Sequence, residues 1–395
     1  MRRSYKTYWR IWATSTALGL IAVGAFNVVI DPFGAYRAVE LGPLKGYRPK
    51  LGDRIGKAEA LRRGPWDVLV LGSSRAAVGI DAYDPAWGQA KVLNVGLAAT
   101  NLYETAGIVD YAIEVCRPRK IVFLVDFLMF DRKRSCQDTF TKSRFNANRS
   151  ICEYHMGNLL GTHAVTSSWD VLKDFFRSKR SRYDDRGHVM LLDEWADRTT
   201  RSYFERTLTK FLNGMYADYV YSASRVTHFR HIVETCISRD IELVVAFAPV
   251  HALQLEAIAQ AGLWQDFEKC KRDLVRVVAE ETSQSAGSPL AVIWDFTSYT
   301  GLNAEAVPPT EDPSEMQWYL ESSHFRDTAG SLILRRIMSL PMPPVAEAQG
   351  FGVQLTPANI ENHIEAIRQQ RSRYDADNPR EIDMVRRLAQ AVSAH

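Results

Sequence analysis

At 395 residues the chain is long enough to bury a full core and still carry an insertion or a small accessory region. Its 46% apolar and 24% charged residues are those of a globular protein, which excludes a disordered or fibrous chain. A net charge of +3 is too small to support nucleic-acid binding, and no internal repeat or low-complexity tract is present.

The first thirty residues differ from the rest. Arg2, Arg3, Lys6 and Arg10 precede an uncharged stretch, residues 11–30, closed by Asp31-Pro32. In a helix this stretch spans about 30 Å, the thickness of a bilayer core, and the basic flank predicts a cytoplasmic N-terminal end. Val23-Gly24-Ala25 resembles a signal-peptide cleavage site, but the apolar run continues past it to Ile30. An uncleaved, single-pass anchor in the cytoplasmic (inner) membrane is therefore expected over residues 1–35. A linker follows over 36–65, and everything after residue 35 is expected on the periplasmic, extracytoplasmic side. The five cysteines include no C-x-x-C pair, which argues against zinc and thioredoxin-like chemistry. Cys136 and Cys152 share a loop-rich segment, where an oxidising compartment would let them pair. Cys116, Cys236 and Cys270 fall in helix-like stretches and read as structural thiols.

Five short apolar runs, 67–71, 91–95, 120–125, 242–247 and 291–296, read as buried parallel strands. Helical patterns lie between them at 102–115, 225–238 and 264–283. This alternation predicts an α/β fold, a doubly wound five-stranded parallel sheet over 66–345. In such sheets ligands bind at the carboxyl ends of the strands, where Ser74, Gly96, Asp126, His251 and Asp295 would gather. Residues 131–224 break the rhythm and read as a helical insertion that caps the site, with helices at 167–176 and 200–216. The basic run from Arg177 to Arg182 within it reads as a solvated loop. Beyond a Pro- and Gly-rich linker, residues 346–395 predict a helical extension. Thr356-Pro357 supplies its cap and first helical position, and Ile360, Ile364 and Ile367 form one apolar stripe. Ile382, Val385, Leu388, Ala389 and Val392 form another, and both are expected to dock on the body of the chain.

Two segments carry chemistry. Val68-Leu69-Val70-Leu71-Gly72-Ser73-Ser74-Arg75 is a strand running into a tight turn that bears serine, and Glu321-Ser322-Ser323-His324 places an acid three residues before a histidine. A serine hydroxyl becomes a nucleophile only with a base in hydrogen-bond reach and an acid that orients the base. Ser74 would attack, His324 would take its proton, and Glu321, one helical turn earlier, would orient His324, with Asp295 as a rival orienter. The backbone N–H groups of Ser74 and Gly96 would hold the developing oxyanion. His251, at a strand end, is the alternative base or a substrate-facing group. His228 and His231 have helical spacing that suits a metal, but no acid or cysteine completes such a site, so neither metal nor cofactor is expected.

Gly72-Ser73-Ser74-Arg75, Gly96 and Glu321-x-x-His324 together resemble the sequence blocks of the SGNH (GDSL-like) hydrolase superfamily. The likeness is to its membrane-anchored bacterial branch, which O-acetylates alginate and related exopolysaccharides or D-alanylates teichoic acids. The resemblance implies a flavodoxin-like sheet, with Ser74 as nucleophile, His324 as base and Glu321 as orienter. It also implies Ser74 and Gly96 as oxyanion donors. Two positions depart from the family pattern. The acid is usually aspartate, and Asp126 stands where an asparagine normally donates to the oxyanion, so Asn101 or Arg75 would substitute. The expected activity is acyl transfer on an envelope or exported polysaccharide, or on a lipid-linked glycan, with a multi-spanning membrane acyltransferase as partner. The alternatives are hydrolysis of acyl esters and, given Asp126 and Glu321, a non-catalytic glycan-binding scaffold.

Overall fold

The computed structural model describes residues 2–190, 199–283 and 291–393, without the side chains of 2–4, 392 and 393. The side chains of Arg2, Arg3 and Val392, and residues 191–198 of the expected insertion, lie outside the described residues. The chain forms two compact units. One is built from residues up to 63 and from 138–183, the other from 64–137 and from 184 onward.

In the first unit the helix Arg2–Ile30 is long and apolar, and the most apolar 18-residue window of its Tyr5–Ile30 stretch has a mean hydropathy of 1.8. Such a helix is of membrane-spanning length, the kind that serves as a membrane anchor or a signal sequence. Ile11, Leu18 and Ile21 along it are exposed. Its last turns are integrated into the unit. The buried Asn27 donates to the Leu159 carbonyl at 2.8 Å and accepts from the Ser168 hydroxyl at 2.8 Å, and Ile30 packs with Leu44 and Val171. The helices Ile151–Leu160 and Thr162–Phe176 form the rest of the unit's frame; the first of them and the N-terminal half of the second were not anticipated from sequence. The basic run that follows, Arg177 to Lys179 and Arg180, is exposed.

The second unit is an α/β fold on a six-stranded, mostly parallel sheet in the order β2-β1-β3-β4-β5-β6. The strands are β1 (Val68–Gly72), β2 (Val92–Asn94), β3 (Lys120–Val125), β4 (Glu242–Phe247), β5 (Ala291–Asp295) and β6 (Val353–Leu355). The five expected strands are present and parallel, and β1, β3 and β4 are buried along nearly their whole length, as continuous Val/Ile/Leu runs require. The sheet has one strand more than expected. Part of the C-terminal linker pairs antiparallel to β5, with Trp294 opposite Gln354 and Asp295 opposite Val353. A run of only three residues between glycine and threonine carries no strand signal of its own, and pairing with the exposed edge of β5 supplies it.

The helices Leu102–Val115, Ala223–Ser238 and Trp264–Ser283 pack side by side in that order. Thr200–Lys210 continues as a π-helical turn, Phe211–Met215. The C-terminal helices Ile360–Asp377 and Pro379–Ser393 dock on the chain's own body with Ile360, Ile364, Ile367, Ile382 and Val385 buried. The first of them starts later than expected, because Thr356 to Asn359 close a turn in which the Asn359 side chain accepts from the Thr356 N–H.

Candidate active site

β1 ends at Gly72, whose φ of +148° is a backbone conformation that L side chains rarely adopt. Added bulk there would also crowd the Leu124 carbonyl of β3 and Ala76. This lets the chain turn abruptly from the strand into the short helix Ser74–Gly79. Ser73 caps the helix by accepting from the Arg75 N–H, and Ser74 occupies its first position. The partner segment arrives 250 residues later. Phe325 bridges back to Tyr319, and the Leu320 N–H donates to the His324 carbonyl. Residues 321–324 therefore form a bent loop rather than the expected helical turn, and the next helix begins only at Asp327.

Glycines bring these two segments into contact. A methyl added at Gly330, in the helix Asp327–Ile337, would overlap the Gly79 carbonyl, and one added at Gly79 would overlap the Phe325 ring. The two helices thus touch backbone to backbone, and Ser74 Oγ lies 2.8 Å from His324 Nε2. The other ring nitrogen, His324 Nδ1, bonds Glu321 Oε1. Glu321 is buried, and burial alone would raise its carboxyl. The opposing charge and hydrogen bond of His324, the Ser323 N–H at 2.7 Å and the Arg75 charge outweigh this and hold it below the usual carboxylate range. A lowered carboxyl stays ionised and can stabilise an imidazolium. Serine, histidine and acid are thus within reach of one another in the order a relay requires.

Two further side chains and one main-chain N–H clamp the loop. Buried Arg75 donates to the Ser323 carbonyl at 3.0 Å and to its hydroxyl at 3.1 Å. The Ser322 hydroxyl donates to Gln254, which in turn donates to the Tyr216 hydroxyl. The His251 N–H donates to the Ser322 carbonyl at 3.0 Å. Neither Gln254 nor Tyr216 was singled out from sequence, where a glutamine in an apolar helix and a tyrosine in an insertion carry no signal of a shared loop.

The remaining expected residues take other places. His251 is fully buried as the cap of the helix Ala252–Gln260. Its Nδ1 accepts from the Leu253 N–H and its Nε2 donates to the Glu305 carbonyl, and burial pushes its pKa down to about 4. With both nitrogens engaged it is a positioning group, neither the alternative base nor a substrate contact. Asp295 bonds Lys271 at 2.5 Å and His363 at 2.8 Å, and also accepts from Thr297. Burial would raise its carboxyl, but the Lys271 ammonium and the His363 bond hold it far below the ordinary range. It anchors the C-terminal helix through His363 and does not orient His324.

Two of the expected oxyanion donors, Gly96 and Asn101, are committed elsewhere. The Gly96 N–H donates to Asn94 Oδ1 at 2.8 Å, and Asn94 in turn donates to the carbonyls of Ala76 and Ile80. Asn101 caps the helix Leu102–Val115 through the Glu104 N–H and donates to the Arg134 carbonyl. Asp126 does not stand as a bare charge, since its Oδ2 lies 3.6 Å from Arg75 Nη1 with both side chains buried. Arg134, an unexpected neighbour, donates to the Ala99 carbonyl and feels the charges of Asp126 and Arg75; burial lowers its pKa.

None of the five cysteines forms a disulfide, the expected Cys136–Cys152 pair included. His231 bonds Asp110 and His228 packs edge-on against Tyr103, so the two histidines do not share a ligand. No protein-family model matches the chain, and no curated protein matches its sequence.

Proposed function

We propose that the protein is a membrane-anchored, extracytoplasmic serine enzyme of the SGNH type. It moves a short acyl group on an envelope or exported polysaccharide through an acyl-Ser74 intermediate. The observation that carries this reading is the 2.8 Å contact between Ser74 Oγ and His324 Nε2, with Glu321 on the other ring nitrogen. His324 removes the Ser74 proton as Oγ attacks the donor carbonyl, and Glu321 stabilises the resulting imidazolium. The Ser74 N–H holds the oxyanion, and His324 returns the proton to the leaving group. The acceptor hydroxyl then repeats the cycle on the acyl enzyme, a ping-pong sequence.

The strand order supports the same reading. The connection from β1 runs to β2 on one side and that from β3 to β4 on the other, and a doubly wound, flavodoxin-like sheet binds ligands at such a switch point, beyond the carboxyl ends of β1 and β3. The apolar helix supports an uncleaved anchor, because it runs unbroken from the exposed apolar stretch through Ala25 into the packed turns at Asn27 and Ile30. A multi-spanning membrane acyltransferase is the partner that would deliver the acyl group across the bilayer.

The second reading, a non-catalytic glycan-binding scaffold, is favoured by the engagement of the Gly96 N–H and the Asn101 amide in structural bonds. A serine-directed fluorophosphonate separates the two. Labelling of the wild type and not of Ser74→Ala, together with an acyl adduct on Ser74 after incubation with a short-chain activated ester, is the expected result. A folded wild-type protein that takes up neither group is the scaffold. Acyl transfer to added oligosaccharide, measured against release of free acid, then separates transfer from hydrolysis.

A further inference from the structure

The helix that begins with Ser74 ends beside a cluster that the reaction does not use. Asp81 follows that helix directly, and Asp184 and His188 lie about a hundred residues later on a loop tied to it. The Val189 N–H donates to the Ala77 carbonyl and His188 Nε2 to the Val78 carbonyl at 2.9 Å, while the Arg186 carbonyl accepts from the Asn94 N–H of β2. One donor atom from each of Asp81, Asp184 and His188 lies within 4.8 Å of the others.

Bonds to the backbone hold each of the three side chains in place, and Asp81 Oδ1 accepts from the Tyr83 N–H at 2.8 Å. His188 is 7% exposed, and its bond to the Val78 carbonyl fixes the proton on Nε2. Nδ1 is the ring atom turned toward the two carboxylates, and a second ring nitrogen fixed on a backbone carbonyl is how metal-binding histidines are oriented. Nδ1 lies 3.8 Å from Asp81 Oδ1 and 4.0 Å from Asp184 Oδ2, too far for hydrogen bonds. Asp184 Oδ1 already accepts from the N–H groups of Arg186 and His188, so Oδ2 is the atom that faces the gap. Arg186, the cation on the same loop, is turned away onto the Tyr83 ring and the Ala82 carbonyl, and Asp185 accepts from the Tyr83 hydroxyl.

The spacing suits an ion. Three donors at the corners of a triangle around a cation about 2.2 Å from each stand about 3.8 Å apart, since the edge is the radius times the square root of three. Asp81 is one-third exposed, which leaves a path for the ion and room for water ligands. We propose that Asp81, Asp184 and His188 bind one divalent cation of the class that accepts mixed nitrogen and oxygen ligands, such as Zn²⁺ or Mn²⁺. The bound ion ties the 184–189 loop to the end of the Ser74 helix. This site is independent of whether Ser74 is a nucleophile.

The test is titration of the full-length, detergent-solubilised protein, stripped with chelator, by Zn²⁺ or Mn²⁺, read by calorimetry and by thermal unfolding. One ion per chain and a higher unfolding temperature are expected. Asp184→Asn keeps the oxygen that accepts from Arg186 and His188, so the loop folds, but it loses a charged ligand. Its affinity, and that of His188→Ala, is expected to fall at least about tenfold. The proposal is overturned if the stripped wild type binds neither ion at about a thousand times the concentration of a typical micromolar site. It is overturned equally if Asp184→Asn binds with unchanged affinity and stoichiometry.

Discussion

In the proposed reaction Ser74 and His324 act through one proton, so their losses would not add. Ser74→Ala and His324→Ala are each expected to lower ester turnover at least about a thousandfold, and the double variant little further. Equal, small effects of both would remove the pair from the chemistry. Glu321→Gln tests the orienter. Glutamine keeps an acceptor for the Ser323 N–H but cannot hold the imidazolium, and a loss of about a hundredfold to ten-thousandfold is expected. Asp295 cannot rescue it, because Lys271 and His363 hold it. His251 gives a pH signature instead. Its folded pKa of about 4 lies below the unfolded value of 6.5, so the stability it contributes is complete above pH 6.5 and is lost as pH falls toward 4. The full span is about 3 kcal/mol. His251→Asn retains a cap acceptor and does not titrate, so its unfolding free energy is expected to vary less than the wild type's between pH 7 and 4. Parallel curves in denaturant titrations would refute the assignment. From sequence, Ser74, Glu321 and His324 were legible because strand-turn-Ser and acid-x-x-His are local patterns. The fates of Gly96, Asn101 and Asp295 were not, since each is decided by a partner remote in spacing or by which way one N–H points. The same holds for Asp81, Asp184 and His188, which share no spacing motif.

At the scale of elements, the site depends on two helices that touch without side chains between them. Alanine normally stabilises a helix interior over glycine by about 1 kcal/mol. Gly330→Ala is expected to do the opposite, because its methyl overlaps the Gly79 carbonyl and forces Asp327–Ile337 away from Ser74–Gly79. A shift of about 1 Å costs a positioned pair roughly a hundredfold in rate. Both the unfolding temperature and the rate of ester turnover are therefore expected to fall, and a stabilised, fully active variant would show that the contact does not set the Ser74–His324 distance. The long helices 102–115 and 264–283 and the strands 120–125 and 242–247 were readable to the residue, because their apolar periods are long and uninterrupted. β6 and the loop 321–324 were not, because a three-residue strand and a bent loop owe their shape to β5, Arg75, Gln254 and His251 and not to their own propensities.

At the scale of the whole molecule, the helix Arg2–Ile30 has two different environments along its length. Its early and middle part exposes Tyr5, Trp9, Ile11, Trp12, Leu18 and Ile21, while its last turns bury Asn27 and Ile30 within their own unit. A buried asparagine has no use in a helix that only spans lipid; here it satisfies both Ser168 and the Leu159 carbonyl. The sequence pattern marked the apolar helix but gave no sign that residues 138–183 belong with it, because that pairing is set by contacts across more than a hundred residues. Asn27→Leu separates the two roles. The change makes the helix more apolar, so membrane insertion is expected to persist, and a reporter fused after Arg37 is expected to stay active only outside the cytoplasm. The same change leaves the Ser168 hydroxyl and the Leu159 carbonyl without partners, at about 1–3 kcal/mol for a buried polar group. Limited proteolysis of membranes is then expected to cut residues 138–183 faster in the variant than in the wild type, with the N-terminal segment retained in both. A wild-type chain that lacks residues 1–25 after export, with the 138–183 segment still protected, would show that the unit holds without its helix and that the span is a signal sequence.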